Sequence, residues 1–567
     1  MRGVRALHGT VDVATDRVAA LEAALAEQSE PLVSVTHLLH LCRDEHPALW
    51  EHVGDAACVL SVAPGLAALR ACLPAPGAES LISARVRAQL AASFRTDGGA
   101  PPVVVAHALA QLIDERYGPS FRGSFLRRSP YQPRVGDPIP LDSLDLRRVA
   151  DMSFTAPPWR LANRLDETRN VRLAGEWAGQ FRVVFDFSVA ASLAGLIAAN
   201  TVIATCHPND RLAELDLTHV KEGRTFPIGP VDAAHQREEI QHLIGLATDA
   251  GASIVLLPEL CLTQELAVDL EQWVRRPGGP RLLVAGSFHH EDDHGPEPGT
   301  TRRRNTAMTR LRGHAGPLVH DKHSPADRPV TEDIQPQGWP ELRVYVSADG
   351  YHFVTAICRD LLNPHAVHAL TEVGANLVLV PAMSETLMAF GGPVAQLVAA
   401  TQALVAVANN PGDWTGAEGI TGSHPGRALF GHPGLGQQTR LVKPLNSSPG
   451  VALLRVSSGH IEWLPTDAPV GQSRHRSRAP LASCGPPPDW WPEVIARHGS
   501  GALDYKHHEP VTLRQAAVLV LLTNGPEGFA GPPYRTRRRS RRLPRSAGLP
   551  RRSCRARRPG SSRHRRP

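Results

Sequence analysis

The sequence predicts an α/β layered domain, on three observations. Between residues 201 and 465, short apolar runs recur: "NTVIATCHP", "SIVLLPEL", "FVTAIC", "NLVLVPAM" and "ALVAVANN". Most of them are apolar throughout instead of alternating, which is the pattern of strands buried on both faces. A long amphipathic segment, "AAHQREEIQHLIGLATDAG", stands between the first two and is stopped by Gly251, giving the strand–helix–strand order of a layered sheet domain.

Taken in chain order, residues 1–130 read as helical. "TDRVAALEAALAEQ" and "ARVRAQLAASF" repeat apolar positions at i, i+3 and i+4, and no motif of known chemistry falls among them. Residues 131–200 form a Pro-rich polar connector with short elements. At its end Phe187–Asn209 carries no charged residue over roughly a bilayer-spanning length. Ser, Gly, Asn, Thr and Pro interrupt it, so a short helix followed by a buried strand is expected and not a membrane span. Further strands within 201–465 are "RLLVAGSFHH", "NTAMTRLRG" and "VALLRVSSG". Residues 466–485 are a linker, 486–530 hold a helix-like "WWPEVIARHG" and a strand-like "QAAVLVLLTN", and 531–567 are an Arg-rich tail expected to be disordered.

Composition limits the partners. The chain has 567 residues, 42% hydrophobic and 20% charged, ordinary globular material long enough for about two to four domains. Its net charge is +6, yet 15 arginines and no acidic residue lie within 531–567, and without them the balance is −9. The basic character therefore belongs to the tail; nucleic acid is expected only as a nonspecific contact of that tail. The eight cysteines show neither CxxC pairing nor zinc-ligand spacing, which fits free thiols, a reducing compartment and a cytoplasmic location, with no metal. The start "MRGVRALHGTVDVATDRV" lacks an apolar core of a secretory signal.

Three segments each set one reactive side chain at the edge of an apolar run: "IVLLPELCL" presents Glu259, "LVHDKHSP" presents Lys322 and "VTAICRDL" presents Cys358. Singly, each has an ordinary structural explanation: a solvated Glu, a surface Lys and a buried core thiol. In this order, with "GANLVLVPA" and "ALVAVANNPGDW" following, they resemble the carbon–nitrogen hydrolase (nitrilase) superfamily over about residues 201–460.

That resemblance implies a four-layer α-β-β-α sandwich, a homo-oligomer associating through the sheet-flanking helices, and no cofactor. It also implies a cysteine-dependent hydrolase of a small-molecule amide, carbamoyl or nitrile group, acting through a thioester. Cys358 would be the nucleophile, and Glu259 the base that takes its proton and returns it to the leaving amine. Lys322 and the backbone N–H of Arg359 would stabilise the oxyanion. A second glutamate that positions substrate would be Glu332 in "KHSPADRPVTEDIQPQG", with Glu341 as the fallback. Two departures from the family pattern leave the substrate branch open: His323 follows the lysine directly, and "CRDLLNP" has no aromatic after the cysteine. Two alternatives stay open beside hydrolysis: acyl transfer to an amine, and a binding or sensing module without turnover.

His289, His290 and His294 in "FHHEDDHG" could suit a metal, but the charge cluster reads as a solvated loop. Residues 486–528 resemble the start of a Nudix hydrolase of the coenzyme A diphosphatase kind, without the Glu-rich helix that binds magnesium. Where such a domain would continue, the Arg-rich tail begins, which reads as a shifted reading frame, the rival being a genuine basic tail.

Overall fold

Residues 6–73, 81–95, 100–141, 168–219, 223–293, 301–415, 425–434 and 439–466, with the short strands Leu481–Ala482, Ala502–Leu503 and Val511–Thr512, are described by the computed structural model. The chain divides into Met1–Pro486 and Pro487–Pro567. In the second unit, only the antiparallel pairing of Ala502–Leu503 with Val511–Thr512 is described; the rest of the Nudix-like segment and the tail lie outside the described residues.

The uniformly apolar runs form the strands of two large mixed sheets. One has seven strands in the order Leu318–Asp321, Arg302–Leu311, Leu282–Asp292, Ile254–Leu256, Val202–His207, Gly450–Arg455 and His460–Pro465. The other has eight, in the order Leu481–Ala482, Thr439–Val442, Ala428–Gly431, Leu404–Asn409, Leu377–Ala382, His352–Thr355, Glu341–Val346 and Arg182–Asp186. Successive side chains of a strand point to opposite faces, and here each face meets its own core. Leu377 and Leu379 share a core with Ile203, Ile254 and Leu256 from the other sheet. Val378 and Val380 point the opposite way, to the helices Pro364–Glu372 and Gly391–Thr401. Val202, Ala204 and Val255 likewise turn to the helix Ala233–Asp249.

The parallel strands of both sheets end near one another, where the Glu259 N–H donates to the Ala382 carbonyl at 3.4 Å. Val202–His207, Ile254–Leu256 and Leu282–Asp292 are mutually parallel neighbours, as are His352–Thr355, Leu377–Ala382 and Leu404–Asn409. In open α/β sheets ligands bind outside the carboxyl ends of such strands; Glu259 and Cys358 each follow one of these ends.

The "TDRVAALEAALAEQ" and "ARVRAQLAASF" segments are helical within Ala6–Glu27 and Ala84–Ala92. With Pro31–Asp44 and Pro102–Arg127 they bury Leu25, Leu38, Leu90, Ile113 and Phe121 in the same core that takes Val378 and the helix Pro364–Glu372. Phe187–Asn209 forms the short helix Ala190–Leu193 and the fully buried strand Val202–His207. Among the described residues no single helix is long and apolar enough to cross a membrane; one pair, His46–His52 with Ala56–Cys72, reaches that length and composition only across a bend of 100°.

The sequence reading leaves "FRVVFD" unassigned, yet Arg182–Asp186 is a strand that pairs in parallel with Glu341–Val346 at the sheet's edge. Nearby, Arg172 forms an ion pair with Glu372 while both side chains are buried, and also donates to the Glu372 carbonyl at 3.0 Å. A buried charge deprived of its partner costs more than the pair contributes. Glu372→Ala is therefore expected to lower stability by about 3–5 kcal/mol, measured as a shift in the denaturation midpoint, while Glu372→Gln, which keeps an acceptor, loses less.

Candidate active site

Glu259 lies just past the strand Ile254–Leu256, and the backbone around it is tightly held. The next residue, Leu260, has φ 56°, a left-handed conformation rare for a large side chain, and its N–H donates to Ser287 Oγ at 3.3 Å. The strand Leu282–Asp292 breaks register between Val284 and Ser287. At the break Gly286 has φ +64°, and a Cβ there would lie 2.2 Å from the Pro258 carbonyl oxygen. Only glycine lets this strand pass so close to the residue before Glu259.

Lys322 follows the edge strand Leu318–Asp321, its N–H bonded to the Asn305 carbonyl at 2.8 Å. Its Nζ donates to Glu259 Oε1 at 2.7 Å and to Glu332 Oε2 at 2.6 Å. Glu259, Lys322 and Glu332 are 2%, 3% and 6% exposed. Two more residues complete the cluster: Asn305, not singled out from the sequence, and His289, read there as part of a solvated loop. Asn305 Nδ2 donates to Glu259 Oε1 at 2.9 Å and to Glu332 Oε1 at 2.7 Å, one amide hydrogen for each carboxylate. His289 Nδ1 accepts the Ile228 N–H at 3.0 Å, which leaves the ring proton on Nε2 to be donated to Glu332 Oε1 at 2.9 Å.

The expected solvated loop at His289 and His290 is therefore corrected. Both lie on the strand Leu282–Asp292, whose acidic end is paired across the ladder with arginines: His290 opposite Arg304, Glu291 opposite Arg303, and Asp292 opposite Arg302. Cross-strand charge complementarity extends the strand where the local string looks like a loop. The His289 side chain is fully buried and stacks on Phe226, ring centroids 4.7 Å apart. His294 lies outside the described residues. Among the described residues no group of three or more His, Cys, Asp or Glu is arranged to hold a metal ion.

Cys358 comes after the strand His352–Thr355 and opens the 3₁₀ turn Cys358–Leu362 with φ 45°. Such backbone strain in a non-glycine residue clusters where surrounding structure over-determines it; here both Cys358 and Leu260 carry it. The Cys358 Sγ is 3.8 Å from the Met383 carbonyl oxygen, and the Met383 N–H donates to Glu259 Oε2 at 2.9 Å. One residue past the strand Leu377–Ala382 thus touches both the thiol and the carboxylate. Arg359 is the second residue of the turn, a position whose N–H has no partner within the turn itself. Its guanidinium pairs with Asp327 away from the cluster. Glu341, the other candidate for the second glutamate, is engaged by Arg182 and Arg343.

The two carboxylates at Lys322 are pushed in opposite directions. Burial raises the pKa of Glu259, and Glu332 adds to this, while Lys322 opposes; the net shift is upward. Burial acts on Glu332 in the same sense, but Lys322 and His289 outweigh it and hold this carboxyl well below the usual range. Lys322 itself is driven well above an ordinary lysine: burial disfavours its charge, but Glu259 and Glu332 more than compensate. Burial, then the Glu259 charge, raises the Cys358 thiol well above its ordinary value, with Lys322 pulling the other way. Glu332 is a fixed anion, Lys322 a fixed cation, and Glu259 and Cys358 are the pair between which a proton can move.

A cavity of about 130 Å³ adjoins this cluster on the far side of the lysine segment, walled by Arg182, Arg304, His320, Lys322, His323 and Gln335 among others. Neither Cys358 nor Glu259 lines it.

No protein-family profile and no curated protein matches the sequence. Among solved structures, the chain is similar to NitN amidase from Nesterenkonia sp. AN1, at 21% identity and TM-score 0.32, over 45% of this chain and 91% of that one. It is also similar to a second structure of an amidase from Nesterenkonia sp., at 21% identity and TM-score 0.32, over 47% and 91%. A cysteine-to-serine variant of the Nesterenkonia AN1 amidase, described as a member of the nitrilase superfamily, is similar at 20% identity and TM-score 0.34, over 46% and 93%. A likeness of this degree speaks to neither substrate nor reaction.

Proposed function

We propose that this protein is a cysteine-dependent hydrolase of a non-peptide C–N bond in a small amide, carbamoyl or nitrile compound, built on a four-layer α-β-β-α sandwich. The observation that carries the reading is the buried ammonium of Lys322 shared by Glu259 and Glu332, with the Cys358 thiol beside the same Met383 segment that binds Glu259. A buried charge cluster of this cost has no need of a thiol on a strained turn; a thioester mechanism needs each part.

In the proposed cycle Glu259 accepts the Cys358 proton as the sulfur bonds to the carbonyl carbon. Lys322 and the Arg359 N–H stabilise the oxyanion. The C–N bond then breaks, and the leaving amine takes the proton from Glu259, giving a thioester. Water attacks the thioester, its proton passing to Glu259, and collapse releases the acid while Glu259 returns the proton to sulfur. The high pKa of the thiol favours deprotonation during attack over a standing thiolate. Glu332 is too firmly ionised for the base role and serves to fix Lys322.

The test is ammonia release from a panel of amides, N-carbamoyl compounds and nitriles, with kcat/KM followed against pH. The acid limb is expected above the ordinary glutamate value of about 4.3, because the ionised form of Glu259 is required and its pKa is raised. An enzyme inert to every class, with a Cys358 no more reactive to iodoacetamide than free cysteine, would refute the proposal in favour of a binding module.

A further inference from the structure

We infer that Asp360 is a positioning residue of this site: its carboxylate sets the separation between the nucleophile turn and the lysine segment. The inference rests on the hydrolase reading above.

Asp360 is 1% exposed. Its Oδ2 accepts the Ile357 N–H at 3.1 Å, the amide immediately before Cys358. Its Oδ1 accepts the His323 N–H at 3.1 Å and the Ser324 N–H at 2.8 Å, the two amides immediately after Lys322. His320 Nε2, just before the lysine, donates to Oδ2 at 3.1 Å, and His323 Nδ1 lies 3.3 Å from Oδ1. One buried anion therefore holds the chain on both sides of Lys322 and just ahead of Cys358.

An aspartate at this place in a turn could serve only to cap it, and the bond to Ile357 is such a cap. The three donors from residues 320–324 are not part of the turn and have no place in that explanation. A carboxylate offers about four acceptor sites, and all of them face donors. Asparagine would turn an N–H toward donors already there, and glutamate would force the two segments apart. The turn also carries the left-handed Cys358 at φ 45°, a conformation that persists only where neighbours enforce it. The Asp360 N–H closes the turn from inside by donating to the Ile357 carbonyl at 2.9 Å.

Asp360 meets none of the reacting atoms; it acts through the spacing of two groups that do. Lys322 is the cation that opposes the rise of the Cys358 thiol, so a slackened spacing weakens both the hold on the thiolate and the contact with the oxyanion. A misplacement near 1 Å costs roughly 10²-fold in rate.

The experiment compares the full-length wild type with Asp360→Asn and His320→Ala. It follows alkylation of the Cys358 peptide by iodoacetamide against pH, using mass spectrometry, together with kcat and KM for ammonia release. Asp360→Asn is expected to lower kcat about 10²-fold with little change in KM, and to move the alkylation midpoint to higher pH. His320→Ala, which removes one donor and leaves the carboxylate, is expected to move both in the same direction by less. A role confined to holding the fold would lower the melting temperature and leave the alkylation profile of the folded protein in place, which overturns the inference. Should Asp360→Asn not fold, His320→Ala decides alone, and a profile superimposed on the wild type overturns it. An active wild type with unmoved variants sinks only this inference, whereas an inert wild type sinks the hydrolase reading and this with it.

Discussion

Cys358→Ala is expected to release no ammonia from any compound the wild type hydrolyses, a fall on the order of 10⁴-fold or more. The loss should be chemical and not a loss of fold. The side chain is 5% exposed and small, so removing one sulfur costs about 1 kcal/mol, and alanine takes the same left-handed backbone that cysteine already bears. Cys358→Ser should be nearly as inactive. Glu259 can relieve a thiol of its proton, but a hydroxyl is a far weaker acid, and the same raised carboxylate cannot ionise it in step with attack. Intact mass after mixing with a slowly turned-over amide separates the possibilities: the wild type gains the acyl mass and the alanine variant does not. An alanine variant that retains activity would remove the thioester from the mechanism.

The parts of this site that the sequence displayed are those whose environment is local. Glu259 and Cys358 each stand after an apolar run and Lys322 after the short "LVHD", and an apolar run reads as a strand without knowledge of its neighbours. The structure sets all three, with Glu332, around one buried ammonium and the Met383 segment. What stayed hidden depends on pairing between distant strings. His289 looks solvated in "FHHEDDHG" until "RRRN" lies opposite it in the ladder. Asn305 is one polar residue in a strand until two carboxylates meet its amide. "FRVVFD" is short and broken by Arg182 and Asp186, and it becomes a strand because the edge at Glu341–Val346 accepts it. Asp360 sits in full view in "CRDL", but its purpose exists only once the segment after Lys322 arrives.

Lys322→Met tests the charge arrangement from the other side, and its signature is a change in how stability depends on pH. In the wild type the folded pKa of Glu332 is depressed. Its contribution to stability is present above the unfolded value near 4.3 and is lost as pH falls toward the folded value. Lys322 has a raised folded pKa, so its contribution is present below about 10.4 and is lost only in strong alkali. Glu259 works in the opposite sense to Glu332, since its pKa is raised and its ionisation costs stability as pH climbs past 4.3 or so. Without the ammonium, burial and mutual repulsion act on both carboxylates unopposed by it. Both folded values then move upward, the pair retains a proton in the folded state that the unfolded chain gives up, and stability falls as pH rises through roughly 4 to 7. The variant is therefore expected to be about 3–5 kcal/mol less stable than the wild type at pH 7, with a smaller deficit at pH 4, read from urea denaturation at the two values. Its kcat/KM should drop about 10²–10³-fold, the scale for loss of one oxyanion donor. An equal stability deficit at both pH values would mean that Glu259 and Glu332 do not share the Lys322 charge, and the division of labour between base and fixed anion would go with it.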